Sequence, residues 1–169
     1  MTREYRNKKK KNRQPAGLHP KIREHGSEIL DHESFKGMKN FKQHGCVSVH
    51  DHCLRVAEAS LRINEKLKKL RMNLNERAMV RGALLHDYFL YDWHDKEKRR
   101  KLHGFYHPGE ALKNAERDFD LTKREKNIIK QHMFPLTITK IPTNRESWVV
   151  SIADKWCSLV ETIRMRKPS

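Results

Sequence analysis

Cysteine, glycine, proline and negative charge are all scarce in this chain. Its three cysteines, Cys46, Cys53 and Cys157, form an odd set with no CxxC spacing, which argues against a disulfide framework and a thiolate zinc site and for buried free thiols. Seven glycines and six prolines in 169 residues are too few for a β-rich or linker-rich chain and point to helices. No stretch approaches the roughly 20 apolar residues of a membrane span. The N-terminus is basic but lacks the apolar segment of a secretory signal. A soluble cytoplasmic protein is the expectation.

The acidic deficit is large: 21 Asp and Glu stand against 37 Lys and Arg, for a formal charge of +16. Such a charge attracts polyanions, whether nucleic acid, nucleotides or an anionic membrane surface. Much of the excess sits in "REYRNKKKKNR" (3–13) and "KEKRRK" (96–101). The first run has almost nothing to bury and reads as a flexible arm able to add phosphate contacts to a nucleic acid.

Hydrophobic residues (36%) and charged residues (34%) are nearly balanced, yet the apolar ones recur periodically, so the chain reads as one folded helical domain. Residues 1–36 carry no sustained periodicity, interrupted by Pro15, Gly17, Pro20 and Gly26, and read as a basic extension or loosely docked lead-in. Residues 37–169 read as the domain proper. From about 47, Val49, His52, Val56, Ala59, Ile63 and Leu67 follow helical spacing. "NLNERAMVRGALLHDYFL" pairs Asn73 with Glu76 as a helix-start signal and carries Met79, Ala83, His86 and Leu90 on one face. In "HPGEALKNAERDF", Pro108 suits a first helical turn and places His107 at the helix entrance. "LTKREKNIIKQHMFPL" has Thr122 and Glu125 in capping-box spacing, then Ile128, Ile129 and His132 before Pro135. Thr143 with Glu146 opens a last long helix, in which Trp148, Ile152, Leu159 and Ile163 form a stripe beside Asp154. No strand and no internal repeat stands out. The expected fold is all-α, a bundle of five or more helices.

Each of these helices places an ionisable group where an apolar residue is expected: His52, the pair His86 and Asp87, His107, His132, and Asp154. A buried unpaired charge costs several kcal/mol, so such a group needs a partner or a metal. One histidine on an apolar face is usually a hydrogen-bonded core residue. Recurrence on five helices is hard to ascribe to accident. Imidazole and carboxylate donors without thiolates suit divalent iron, manganese, zinc or nickel. Six ligands exceed what one ion with open positions takes, and suffice for two if Asp87 bridges them. Adjacent His and Asp on a helix project about 100° apart, so both can reach one wide cavity.

"HCLRVA", "ALLHD" and "ADK", taken in order, resemble the HD-domain superfamily of metal-dependent phosphohydrolases over roughly residues 40–165. The resemblance implies an HD-type helical bundle in which His52, His86, Asp87 and Asp154 hold one ion. His107 in "HPGEALKNA" and His132 in "IIKQHMFPL" resemble the extra ligands of the subset that holds two, with Asp87 bridging. His103 competes with His107 in "HGFYH", while His44 and His50 lie upstream of or off the stripe that carries His52. The chain departs from the cyclic-dinucleotide phosphodiesterase branch, having neither a lysine soon after "HD" nor a Gly-Tyr-Pro motif.

The resemblance implies hydrolysis of a phosphate ester or anhydride of a phosphorylated small molecule or nucleotide, with Asp87 and Lys155 as the residues nearest the chemistry. Lys155 adjoins Asp154, and Arg81, Lys96 and Arg99 are further candidates for the substrate's phosphates. Asp92, His94 and Asp95 read as solvent-exposed. Two other readings share the same features. Some relatives with this ligand set hold di-iron and use oxygen, and a basic nucleic-acid-binding protein with a structural metal site would also carry the arm and the charge.

Overall fold

A computed structural model describes residues 17–44, 47–91 and 103–165. Among them are seven α-helices: α1 (Pro20–Asp31), α2 (Glu33–Gly37), α3 (Val49–Lys69), α4 (Glu76–Leu85), α5 (His103–Asp118), α6 (Lys123–Gln131) and α7 (Arg145–Met165). A 3-10 turn (Met38–Asn40) leads into a small antiparallel hairpin of β1 (Lys42–His44) and β2 (Val47–Ser48). The expectation of no strand is corrected here, since segments of two or three residues are too short to show a period-2 pattern.

Helix α4 is the centre of the bundle and packs against α1, α3, α6 and α7. Every residue from Ala78 to Phe89 is buried, and a helix covered on all sides has no polar face to mark its period. Its neighbours come close enough to require glycine. A Cβ on Gly26 of α1 would lie 2.5 Å from Leu84 Cδ1, and one on Gly82 of α4 would lie 2.7 to 2.8 Å from Ile128 of α6. Arg81, on the same central helix, is buried and fully engaged: Nε donates to Glu125 at 2.8 Å, Nη1 to Glu28 at 2.9 Å, and Nη2 to the Asp120 carbonyl at 3.1 Å. It ties α1, α4 and α6 together, so its reading as a phosphate ligand is set aside.

Several boundaries differ from the sequence reading. Residues 20–36, read as lead-in, fall in α1 and α2 and send Ile22, Ile29 and Phe35 into the core. Three apolar contacts over two short helices are too few to register as periodicity. The cap of α4 is Asn75, whose side chain accepts from the Ala78 amide, not Asn73. Glu76 is instead an ion-pair hub, receiving Lys21 and Lys68. The helix also stops at Leu85, with His86 as its C-cap. Helix α5 begins at His103, so Pro108 lies inside it, beyond the first turn. The Thr122 and Glu125 capping box on α6 is present as read. On α7 the capping side chain is Asn144, which accepts from the Ser147 amide at 2.8 Å. Glu146 is buried and binds the Asn75 amide and Arg124.

The largest departure concerns the exposed face of α7. Trp148, Ile152, Leu159 and Ile163 are about half exposed, whereas Val149, Val150, Ala153 and Cys157 face the core together with Ser147, Ser151, Asp154 and Glu161. Several polar residues of this helix point inward, while Arg145 and Arg164 at its ends are exposed. Among the described residues, no helix is long and apolar enough to cross a membrane.

Candidate metal centre

Two helices end at the site with the same local device. His86 is the C-cap of α4 and His132 the C-cap of α6. Their Nδ1 atoms lie 2.8 Å from the Ala83 carbonyl and 2.7 Å from the Ile129 carbonyl, each three residues back. The last carbonyls of a helix lack intrahelical partners, so each terminus takes the Nδ1 proton of its own histidine. In the neutral ring this leaves Nε2 as a bare lone pair directed inward. His52, on α3, is held at both nitrogens, with Nδ1 3.0 Å from Glu161 Oε2, whose other oxygen receives Arg55 at 3.0 Å, and Nε2 3.2 Å from Asp154 Oδ1.

The six side chains singled out in the sequence converge as two groups. His52, His86 and Asp154 form one triad, and Asp87, His107 and His132 the other, with donor atoms in each within 4.8 Å of one another. In the second triad the separations are 2.9 Å between His107 Nε2 and His132 Nε2, and 3.1 and 3.4 Å from those atoms to Asp87 Oδ1. Donors at the roughly 2.0 to 2.2 Å bond lengths of a first-row divalent ion lie about 3.0 to 3.5 Å apart in octahedral or tetrahedral geometry. The second triad has that spacing. In the first, Asp154 Oδ1 lies 3.2 Å from His52 Nε2 and 3.8 Å from His86 Nε2.

Asp87 joins the two groups. Its Oδ1 faces the second triad, while Oδ2 lies 3.5 Å from His86 Nε2 and 3.9 Å from His52 Nε2. All six residues are buried, none more than 5% exposed. His86 Nε2 and Asp87 Oδ1 make no hydrogen bond of acceptable geometry, although nitrogens lie within ion-pair distance of that oxygen. With neutral imidazoles, the two buried carboxylates carry two negative charges, of which Lys155 offsets one from beside Asp154, and two bare donor atoms remain, a combination that favours further positive charge inside. These residues fit divalent cations.

The protonation tendencies express the same demand. Burial pushes His52 down, but hydrogen bonds to Asp154 and Glu161 outweigh it and raise the imidazole to about 9. Burial likewise opposes charge on His86, yet the Asp87 carboxylate lifts it well above the usual histidine range. Burial would raise Asp87 and Asp154; facing histidines, and Lys155 beside Asp154, hold both well below the usual carboxylate range. His132 is driven the other way by burial, to about 4, so its Nε2 is an unprotonated donor at neutral pH.

Three contributors were not singled out in the sequence. Glu161 lies seven residues after Asp154, two turns along the same helix face, and that spacing was its only signal. Gln43, on β1, donates Nε2 to Asp87 Oδ2 at 2.6 Å, while its Oε1 is buried without a partner. Ser151 Oγ donates to the carbonyls of His132 and Phe134 at 2.8 and 3.0 Å. Lys155 bonds the His132 carbonyl at 2.7 Å and Asp154 Oδ2 at 2.9 Å, so its ammonium positions two ligands. His50 is held by Asp51 at 3.0 Å, against Phe35. Cys53 and Cys157 are buried and free. Asp92, His94, Asp95, Lys96, Arg99, the arm at 3–13 and Cys46 lie outside the described residues, as do the side chains of His44 and His103.

Glu161 provides a direct test of this arrangement. Glu161→Ala is expected to weaken binding at the first triad by about 10- to 100-fold, as loss of a histidine's outer partner does. Glu161→Gln, whose carbonyl can still accept from His52, should retain most of it. Titration of cobalt or manganese into the apo protein reads both variants, and equal affinity in the Ala variant would contradict the role.

An α-helical bundle carries two buried His and Asp groups, with Asp87 lying between them, that could each hold a metal ion. The HD domain family model matches residues 49–158, about two thirds of the chain, and the chain belongs to the HD-domain family of metal-dependent phosphohydrolases. No match was found among the curated proteins or among the solved structures.

Proposed function

We propose that this protein is a dinuclear metal-dependent phosphohydrolase that cleaves a phosphate ester or anhydride of a nucleotide-type substrate. One observation carries the reading: the two oxygens of Asp87 face two different triads. His52, His86 and Asp154 would hold one cation, His107 and His132 the other, with Asp87 shared. When bound, such a pair supplies a water acidified toward neutrality and countercharge for phosphoryl oxygens.

The chain's own residues set the conditions for that chemistry. Burial of all six ligands keeps the local dielectric low, which strengthens every charge interaction inside. Lys155 and Gln43 each hold one oxygen of Asp154 and Asp87, fixing which lone pairs turn inward. The excess of positive charge favours a phosphate-bearing substrate over a neutral one, and the basic arm at 3–13 is the natural contact for a polyanionic partner such as nucleic acid.

The test is elemental analysis of the purified full chain followed by phosphate release from a panel of nucleotides and simple phosphoesters, with manganese and without oxygen. Two metals per chain and anoxic turnover are expected. One metal or none per chain would remove the dinuclear reading. Strict dependence on oxygen, with oxygen consumed, would transfer the same ligands to a di-iron oxygenase.

A further inference from the structure

Helix α7 is inverted relative to an ordinary surface helix. Between Glu146 and Ile163, each exposed position is large and apolar: Trp148, Ile152, Trp156, Leu159 and Ile163. Trp156 is the most open of them, at 63%. An apolar stripe of this length on a chain that is 34% charged is a surface meant to be covered. The segments outside the described residues are poor in large apolar side chains. They offer Met1, Tyr5, Trp93 and Leu102 as their large apolar residues, amid runs of lysine and arginine.

We infer that the stripe is a twofold interface in which α7 packs antiparallel against α7 of a second copy of this chain. The spacing itself is self-complementary. About a point midway between positions 155 and 156, Trp148 mirrors Ile163 and Ile152 mirrors Leu159, with Trp156 half a residue from the centre. An isologous contact demands this property, because each residue must meet its mirror position on the partner. Spacings of four, four, three and four residues also keep the row on one seam of a helix.

The magnitudes agree. Five side chains of this size, about half exposed, would remove on the order of 500 Å² per copy from water, so the pair reaches the range of about 1,000 Å² at which specific interfaces begin. A seam with an aromatic pair at its centre also resembles the anchor arrangement of stable contacts. Lys155, the charged residue nearest the axis, turns its ammonium inward to Asp154 and the His132 carbonyl, which keeps its charge out of the seam. The groove between α3 and α7, about 550 Å³ in volume and bounded by Arg62, Ile63 and Trp156 among others, gives the partner helix a bed beside the stripe.

The full chain is therefore expected to sediment as a dimer over a wide concentration range. Trp156→Glu should raise the dissociation constant by about a hundredfold or more, giving monomer at concentrations where the parent is dimeric, with unchanged helicity by circular dichroism. Leu70→Glu, on an exposed residue away from α7, should remain dimeric. If Trp156→Glu fails to fold, Ile152→Cys combined with Leu159→Cys tests the register in the intact fold. The two positions are about 10 Å apart along one helix, too far for an internal disulfide, so oxidation links two chains, and linkage that needs both cysteines marks the antiparallel arrangement.

Each single cysteine variant should stay unlinked. A monomeric parent at every concentration, including one that instead binds anionic lipid vesicles, overturns the inference. So does an unaffected dimer in Trp156→Glu, or efficient cross-linking of either single variant.

Discussion

Asp87→Ala is expected to empty both triads at once, lowering metal content below one ion per chain and phosphate release by about three orders of magnitude or more, some 4 kcal/mol of barrier. The size follows from its two faces. Loss of any one histidine leaves the other triad complete, whereas Asp87 supplies an oxygen to one and stands 3.5 to 3.9 Å from the nitrogens of the other. It also removes half of the carboxylate charge that offsets the cations. His132→Ala is the informative comparison, since it should remove one ion and leave the first triad able to bind. Elemental analysis of both variants, alongside circular dichroism to exclude unfolding, checks the prediction, and two ions retained in Asp87→Ala would refute the shared-carboxylate arrangement.

The second large effect lies in the scaffold. Arg81→Met is expected to destabilise the fold by about 3 to 5 kcal/mol, the usual consequence of leaving a buried carboxylate without its partner. Glu125 is buried and receives Arg81 at 2.8 Å, with Arg77 more distant at 3.9 Å. Urea denaturation of the metal-loaded protein measures the loss. Paired replacement, Arg81→Met with Glu125→Leu, should recover only part of it, because two well-packed apolar residues can match a buried ion pair while the capping bonds of Glu125 to Thr122 are lost. Metal stoichiometry in the folded fraction should not change, since Arg81 bonds none of the six ligands.

The candidate ligands were legible because each one breaks an apolar pattern. His52 interrupts the stripe from Val49 to Val56, and His86 and Asp87 follow two leucines in a segment that is otherwise uniformly apolar. Glu161 breaks no pattern, standing near the end of a helix as acidic residues often do, and only its three-dimensional pairing with His52 and Arg55 gives it a role. Gln43 comes from a three-residue strand with no period to violate.

Helix α7 misled for a different reason. Its burial inverts the usual rule, because Asp154 and Glu161 face inward to pair with His52, and the apolar residues Trp148, Ile152 and Leu159 fall on the opposite side. Periodicity locates such a helix but cannot say which side faces in. Residues 20–36 were missed for another reason, since Ile22, Ile29 and Phe35 reach the core from helices with too few apolar residues to show a repeat.

The caps of α4 and α6 have a consequence for the protein's internal motion. His86 and His132 are both terminal residues of their helices and inward-facing donors, so fraying of either last turn withdraws a donor, and an ion held in place opposes that fraying. Amide hydrogen exchange in the closing turns, at Leu84 to Asp87 and at Lys130 to Met133, should slow sharply on cation loading while the middle of α3 changes little. Under the proposed arrangement the closing turn of a helix also supplies a donor, so occupancy can be followed from backbone protons alone.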